Sequence, residues 1–181
     1  MNQFNNSTPE RVAPYETTGI IELVHKINSK FRNASRLGFV IMLTSSLLTV
    51  TIGFNILYSY FSKWDIIWFP FPNDTDTVVF FVGAVIIAPL FETWFNQSLP
   101  YTLLNKVKYF RERSPLILLA SAIFFGINHF YSMFYILFGF FMGLLLMYGY
   151  MVRIKTDNKT YLLIAISHSL INLTGFIHNL F

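Results

Sequence analysis

Apolar residues occur along this chain in long runs that short polar segments separate, without the strict alternation typical of half-buried strands. A helix needs about 20 mainly apolar residues to cross a bilayer. The runs predict about five spanning helices: Leu37–Phe61, Thr77–Leu104, Ser114–Phe130, Ser132–Met151 and Tyr161–Leu180. The third and fourth are joined by a weak break and predict a tight helical hairpin. The predicted fold class is therefore all-α, a polytopic integral membrane helix bundle.

The first 36 residues are polar by comparison and form the predicted N-terminal segment, followed by the bundle over 37–181. Residues 1–16 are predicted to be disordered, and no apolar run follows a short basic start as it would in a signal peptide. Apolar residues at helical spacing then share one face: Ile20, Leu23, Val24, Ile27 and Phe31. This spacing predicts an amphipathic helix on the membrane surface, with packing against the spanning helices as an equal alternative.

Composition supports a membrane protein whose partner is the lipid bilayer. Of the 181 residues, 54% are hydrophobic and 12% are charged, whereas soluble domains carry about 25% charged residues. The chain has no cysteine, which excludes disulfides, thiolate catalysis and cysteine-ligated zinc. Its basic residues form short clusters beside the apolar runs, so we expect no nucleic-acid partner.

The basic clusters also predict an orientation. They precede the first run and follow the second and fourth: Lys26, Lys30, Arg32 and Arg36; Lys106, Lys108, Arg111 and Arg113; Arg153, Lys155 and Lys159. The connection between the first two runs instead has Asp65, Asp74 and Asp76 against Lys63. The positive-inside rule then places the N-terminus in the cytoplasm and the C-terminus outside.

One carboxyl group and two imidazoles lie within the apolar runs. Glu92 is the only acidic residue inside a long run, and His129 and His168 each lie within another. An ionisable side chain at membrane depth costs about 2.5–3.5 kcal/mol on insertion scales, so it usually marks a functional site. Although a single buried histidine more often serves packing, the three residues together predict one site shared by three helices.

Amide side chains accompany two of these groups. Asn96 lies four residues after Glu92 on the same helical face, with Gln97 beside it, and Asn172 lies four residues after His168. A carboxylate beside an imidazole can activate water for hydrolysis. A second imidazole and an amide can stabilise the oxyanion that forms.

The same donors also suit a metal. Glu92, His129 and His168 offer the carboxylate oxygen and imidazole nitrogens that Zn²⁺ accepts, with a position left for water. The spacing alone leaves a zinc-dependent site and a metal-free site both open.

Three motifs on separate runs resemble those of the CPBP family of intramembrane proteases, which includes CAAX prenyl endopeptidases and bacteriocin-processing or self-immunity proteins. The motifs are E-x-x-x-x-Q from Glu92 to Gln97, F-x-x-x-H from Phe125 to His129, and H-x-x-x-N from His168 to Asn172. They lie within a protease-like core over residues 77–176. The resemblance implies an intramembrane endopeptidase that hydrolyses a peptide bond of a membrane-associated peptide or protein.

The resemblance also suggests residue roles. The residues expected to be catalytic are Glu92, His129, His168 and Asn172, and those expected to support them are Thr93, Asn96, Gln97 and Phe125. The family's first motif is typically E-E-x-x-x-R, so Thr93 replaces its second glutamate and Gln97 replaces its arginine. Losing both charges together leaves neither of them unpaired.

Other functions remain open from the sequence. The two replacements leave open, as an alternative, a catalytically inactive relative that acts as an immunity or partner-binding protein. Intramembrane ionisable groups also occur in proton or ion pathways, and two histidines on facing helices can hold a haem. The G-x-x-x-G of Gly139 and Gly143 predicts close helix packing, within the chain or between chains, so the oligomeric state is open as well.

Overall fold

The computed structural model describes residues 17–61 and 76–178, and its regular structure there is helical with no strand. We number the helices α1 Thr17–Asn33, α2 Arg36–Phe61, α3 Thr77–Leu104, α4 Lys108–Glu112, α5 Ser114–Ile127, α6 Met133–Arg153 and α7 Thr160–His178. The predicted all-α membrane bundle is confirmed. Some predictions concern residues outside these described ranges. They are the predictions for residues 1–16, for Asp65, Asp74 and Lys63, and for the last residues of the final run.

Four of these helices are long and apolar enough to cross a membrane: α2, α3, α6 and α7. Their ends agree with the predicted runs to within two residues over the described part of the chain. The third predicted span, Ser114–Phe130, is shorter in the structure. It forms α5, whose 14 residues extend only about 21 Å at 1.5 Å per residue, against a hydrocarbon core of about 30 Å.

Helix α3 is continuous, but it contains two π-helical segments, Val82–Ile87 and Trp94–Ser98. Each segment ends shortly before a proline, at Pro89 or Pro100. A proline has no N–H and its ring clashes with the carbonyl four residues earlier, so the preceding turn widens. The segment between the two bulges, Ala88–Thr93, carries Glu92.

Helices α5 and α6 form the predicted hairpin and pack closely because glycines line their contact. A Cβ at Gly126 would lie 2.8 Å from the Ile136 carbonyl oxygen, and one at Gly143 would lie 2.8 Å from Phe125 Cβ. The G-x-x-x-G face therefore packs within the chain, against α5. Beside this hairpin, a core of fully buried side chains joins α2, α6 and α7: Phe39, Leu43, Leu47, Leu146, Met147 and Ile164.

Helix α1 is attached to one end of the bundle at its C-terminal turn. Arg153, which is buried, donates from Nη1 to the carbonyl oxygens of Arg32 at 2.9 Å and Ala34 at 2.7 Å. Asp157 accepts from Arg153 at 3.1 Å and from Arg36 at 3.0 Å. Of the predicted apolar face of α1, Phe31 is buried in the bundle and the others are exposed: Ile20, Leu23, Val24 and Ile27.

Candidate active site

Three helical segments bring one carboxyl group and two imidazoles together inside the bundle. Glu92 Oε2 lies 3.7 Å from His168 Nε2 and 4.0 Å from His129 Nε2. These groups come from α3, from α7 and from the turn after α5. The carboxyl oxygen is buried and has no hydrogen-bond partner. The structure therefore brings together the three ionisable residues that the sequence selected.

His129 is oriented by the end of its own helix. Helix α5 ends at Ile127, and the His129 amide donates to the Gly126 carbonyl at 2.9 Å. Nδ1 of His129 lies 2.7 Å from the Phe125 carbonyl oxygen. Because a carbonyl oxygen only accepts, Nδ1 carries the proton, and the lone pair of Nε2 faces Glu92. The Phe125 ring stacks on the imidazole with centroids 4.5 Å apart, so Phe125 supports His129 directly.

Asn172 holds the first bulge of α3. Along α3, the Ala84 carbonyl could accept a hydrogen bond from the amide of residue 88 or of residue 89. The Ala88 amide donates to the Gly83 carbonyl instead. Residue 89 is a proline and has no N–H to donate. Asn172 Nδ2 donates to the Ala84 carbonyl oxygen at 2.9 Å. The amide therefore satisfies a carbonyl that Pro89 frees, and its second N–H remains available for a ligand.

The second bulge is held in a similar way by α5. The carbonyl of Asn96 would accept from residue 100 in an α-helix, but residue 100 is a proline. Ser121 Oγ donates to this carbonyl, and the Asn96 side chain accepts from Asn128 Nδ2 at 2.8 Å. Ser121 and Asn128 were not predicted from the sequence, because nothing in a single chain shows which polar residue faces a proline-freed carbonyl.

Thr93 and Gln97 lie on α3, the helix that carries Glu92, and are both fully buried. Thr93 Oγ1 and both amide atoms of Gln97 have no hydrogen-bond partner, and the same holds for Nδ1 of His168. Most buried polar atoms in proteins are paired, so unpaired ones call for an explanation. Here they occur at the two positions where the related motif has a glutamate and an arginine.

A cavity of about 860 Å³ adjoins the site. Its walls come from α2, the first half of α3, the end of α5 with the turn after it, α6 and α7, and include Leu48, Asn55, Ala84, Tyr135 and Thr174. Glu92, His129, His168 and Asn172 all line it. Tyr135, which the sequence did not select, is buried with its ring 5.4 Å from that of His129. The site is thus accessible to a molecule far larger than water.

The three donor side chains are of the types that bind zinc, but the distances between their donor atoms are longer than a zinc site requires. Two imidazoles and a carboxylate are ligands that Zn²⁺ takes. Donor atoms about 2.0–2.1 Å from a tetrahedral metal are about 3.3 Å apart, which is shorter than the 3.7 and 4.0 Å separations of the Glu92 oxygen from the two histidines. Within the described residues, no group of three His, Asp or Glu side chains is arranged to hold a metal ion.

Comparison with known proteins places the site inside one matched region. Residues 74–174 match the family described as type II CAAX prenyl endopeptidase Rce1-like. This region contains Glu92, His129, His168 and Asn172. The comparison with curated proteins and the comparison with solved structures each found no match.

Proposed function

Because this chain belongs to the type II CAAX prenyl endopeptidase Rce1-like family, a family of intramembrane CAAX-type proteases, we propose that it is an intramembrane endopeptidase that hydrolyses a peptide bond with an activated water. The observation that carries this proposal is the position of the Glu92 carboxyl group. It lies within 4.0 Å of two imidazoles and at the wall of a large cavity.

In this mechanism a water enters from the cavity between Glu92 and His129. Nε2 of His129, whose lone pair faces the carboxylate, orients the water, and Glu92 takes its proton as the oxygen attacks the peptide carbonyl. The tetrahedral oxyanion then accepts hydrogen bonds from Nε2–H of His168 and from the second N–H of Asn172. Glu92 finally delivers the proton to the departing amine, so protons balance over the cycle.

Thr93, Asn96, Gln97 and Phe125 serve the site without touching the substrate in this proposal. Phe125 fixes the His129 ring by stacking and through its carbonyl. Asn96 ties α3 to the turn that carries His129, through Asn128.

The decisive experiment is the Glu92→Gln variant. It keeps the shape of the side chain but removes the base, so we expect cleavage of a farnesylated peptide ending in a CAAX sequence to be lost in detergent solution. General-base groups contribute about 10²–10⁴-fold to rates, so the loss should be at least of this size. Cleavage is measured by mass spectrometry of the peptide products.

Glu112→Gln is the matched control. Glu112 is exposed on α4 and only pairs with Lys108 at 3.8 Å, so this variant should cleave like the wild type. If the Glu92→Gln variant cleaved the peptide at the same rate as the wild type, the mechanism would be rejected. Absence of cleavage by the wild type, together with an unchanged cellular phenotype in Glu92→Gln, would favour the inactive relative that the replacements at Thr93 and Gln97 suggest.

Metal dependence is a separate question, tested by metal content. The reaction above needs no metal. If Zn²⁺ binds, Glu92, His129 and His168 would hold it, and it would supply Lewis-acid polarisation and a more acidic water. We expect purified wild type to contain no more zinc than a His129→Ala, His168→Ala double variant, with His25→Ala as the surface control. Stoichiometric zinc that only the double variant loses would contradict the metal-free form.

The orientation in the membrane is part of the proposal. The basic clusters support a cytoplasmic N-terminus and an extracytoplasmic C-terminus. Helix α5, although short, leaves this orientation unchanged, because α6 returns to the end at which α5 began.

A further inference from the structure

The two ends of the bundle differ in charge. Every lysine and arginine of the described residues lies in α1, near the start of α2, around α4 or near the α6–α7 connection. We call this end, marked by Arg36, Lys106, Arg153 and Lys159, the basic end. The opposite end is formed by the end of α2, the start of α3, the turn between α5 and α6, and the end of α7. The field of the described charges therefore attracts anions to the basic end.

A second cavity, of about 320 Å³, lies at the basic end. Its walls come from four helices: the end of α1 at Arg32, the end of α3 at Tyr101 and Asn105, the start of α5 at Ser114, and the end of α6 with the connection after it at Lys155. It shares no lining residue with the large cavity at the candidate active site. Its volume is roughly ten times the 30 Å³ that one water occupies in the liquid, so it can hold a group of several atoms.

Two cations of this cavity have no acidic partner. Neither Arg32 nor Lys155 forms an ion pair with any of the described residues, and no described aspartate or glutamate lines the cavity. The carboxylate closest to Lys155 in the sequence is that of Asp157. It already accepts hydrogen bonds from Arg36 and Arg153. The cavity therefore presents two positive charges that no described carboxylate balances.

Neutral donors surround these two cations. Tyr101 and Ser114 have hydroxyl groups, and Asn105 has a side-chain amide. All three side chains line the cavity, and none of them is hydrogen-bonded to another side chain or backbone group of the described residues. Helix α5 also begins here without a side-chain cap, so the positive end of its dipole adds to the attraction for an anion.

Three other helices end at this cavity, and the free carbonyls of a helix end repel an anion. Here those carbonyls are occupied. The Arg32 carbonyl accepts from Arg153 Nη1 at 2.9 Å. The Leu104 carbonyl at the end of α3 accepts from the Val107 amide at 3.0 Å, and the Tyr150 carbonyl of α6 accepts from the Ile154 amide at 2.9 Å. The groups left to bind a ligand are thus the donors.

The remaining lining is apolar. Ile117 is buried, and Met151 and Val152 are half-buried. Arg32, Ser114 and Lys155 are exposed, so the polar side of the cavity is accessible from outside the protein. A cavity with a charged mouth and an apolar floor suits the boundary between lipid headgroups and acyl chains.

A phosphate group matches these donors better than a carboxylate does. A phosphate monoester carries up to two negative charges and three strong acceptor oxygens, whereas a carboxylate carries one charge on two oxygens. The planar fork of an arginine binds two phosphate oxygens at once. Basic pockets between membrane-spanning helices are typical sites for anionic lipid headgroups.

From these observations we propose that the basic-end cavity is a binding site for a phosphate group. Arg32 and Lys155 are its charged partners, and Tyr101, Asn105 and Ser114 are its neutral donors. The phosphate is that of a phospholipid headgroup or a free phosphate ion, two sources that share this chemistry and differ in what else they carry. Once bound, it joins α1 to α3, α5 and α6 and so stabilises the folded chain. The proposal is independent of peptidase activity.

Binding is measured on the full chain purified in detergent, by native mass spectrometry and by the shift in melting temperature. Three probes are added separately: phosphatidylglycerol, diacylglycerol with the same acyl chains, and inorganic phosphate. The test variant is Arg32→Gln with Lys155→Gln. The matched control is Lys106→Gln with Arg111→Gln, which removes the same charge from exposed residues of the same end that do not line the cavity.

We expect the wild type to bind one phosphatidylglycerol and to melt at a higher temperature with it, and diacylglycerol to do neither. The Arg32, Lys155 variant should bind at least about tenfold more weakly, because it loses two hydrogen bonds to a charged group. The control variant should bind like the wild type. A higher affinity for phosphatidylglycerol than for inorganic phosphate assigns the site to a lipid headgroup, and an equal or lower affinity assigns it to the free ion.

Three results would overturn the proposal: a wild type that binds neither phosphate compound, diacylglycerol binding as tight as that of phosphatidylglycerol, or equal losses of affinity in the two double variants. If the Arg32, Lys155 variant does not fold, Tyr101→Phe gives the same test. It removes one hydroxyl of the cavity and should weaken binding severalfold, whereas Tyr109→Phe, an exposed tyrosine outside the cavity, should not. Equal affinities of these two variants would also overturn the site.

Discussion

At the scale of single residues, the most unusual feature of the site is a pair of neutral side chains buried without partners. Thr93 and Gln97 are four residues apart and fully buried, in the positions where the related motif has a glutamate and an arginine. A neutral pair leaves a few hydrogen bonds unmade, whereas a single charge there would be buried alone. Because both charged residues are replaced rather than one, no unpaired charge is buried at these two positions.

Restoring the charges one at a time tests this explanation. Gln97→Arg alone buries an unpaired cation and should destabilise the fold by about 3–5 kcal/mol, the usual cost of breaking a buried ion pair. Adding Thr93→Glu should recover most of that loss. The measurement is the melting temperature of the purified variants in detergent, with Thr93→Glu alone completing the double-mutant cycle. Additive effects of the two changes would show that the side chains do not interact.

The site residues differ in how far the sequence could predict them. Glu92, His129 and His168 could be selected because an ionisable group in an apolar run is rare and costly. Asn172 could be selected too, but its bond to the Ala84 carbonyl could not, because the bond depends on how α7 packs against α3. Tyr135 could not be selected, because an aromatic residue in an aromatic-rich span carries no signal of its own.

At the scale of helices, the geometry of the site depends on how closely α5 packs against α6. A Cβ at Gly139 would lie 3.2 Å from His129 Cβ, so this glycine sets the distance between α6 and the imidazole. Gly143, one turn further along, faces the Phe125 side chain and the Ala122 backbone. Any widening of this contact moves the turn that carries His129 away from Glu92 on α3.

Gly143→Ala should therefore impair both stability and activity. Its Cβ would lie 2.8 Å from Phe125 Cβ and 3.1 Å from Ala122 Cα, so the helices must move apart. Overpacking of this kind costs about 1–3 kcal/mol, and a misplacement of about 1 Å at a catalytic group can reduce the rate about 10²-fold. Melting temperature and cleavage rate are measured on the same preparation.

Gly53→Ala on α2 provides the control, because nothing lies within 4 Å of the Cβ it would add. It should be neutral or slightly stabilising, since alanine has the higher helix propensity. If Gly143→Ala behaved like Gly53→Ala, the close contact between α5 and α6 would not determine the site geometry.

The helix boundaries show why part of the fold was predictable. Polar residues mark the ends of α2, α3, α6 and α7, so the apolar runs gave their limits closely. The predicted end of the third run, Phe130, lies three residues beyond the observed end of α5 at Ile127. The turn after it contains His129, Phe130 and Tyr131, which are as apolar or aromatic as the helices on either side, so hydropathy could not locate the turn.

At the scale of the whole molecule, one charged cluster joins three parts of the chain at the basic end. Asp157, between α6 and α7, accepts hydrogen bonds from Arg36 at the start of α2 and from Arg153 at the end of α6. Arg153 in turn binds the carbonyl oxygens at the end of α1. The cluster fixes the loop that leads into α7, which carries His168, and it attaches α1 to the bundle.

Acid should weaken this cluster in a predictable direction. The hydrogen bonds from Arg36, followed by the one from the Lys159 amide, hold the pKa of the Asp157 carboxyl well below its usual range. A carboxyl group whose pKa is lowered by folding stabilises the protein fully above its unfolded pKa of about 3.9. That contribution is lost as the pH falls below this value toward the lower folded pKa, because the folded state then has to bind a proton that its hydrogen bonds disfavour.

Comparing the wild type with Asp157→Asn isolates this carboxyl group from the others. We expect the variant to melt at a lower temperature than the wild type at pH 7, and the difference to shrink steadily as the pH is lowered below about 4. Glu112→Gln, which removes a carboxyl group from an exposed pair at the same end, should match the wild type at neutral pH. A difference between wild type and Asp157→Asn that stayed constant between pH 7 and pH 2 would mean that the charge of Asp157 does not hold the basic end together.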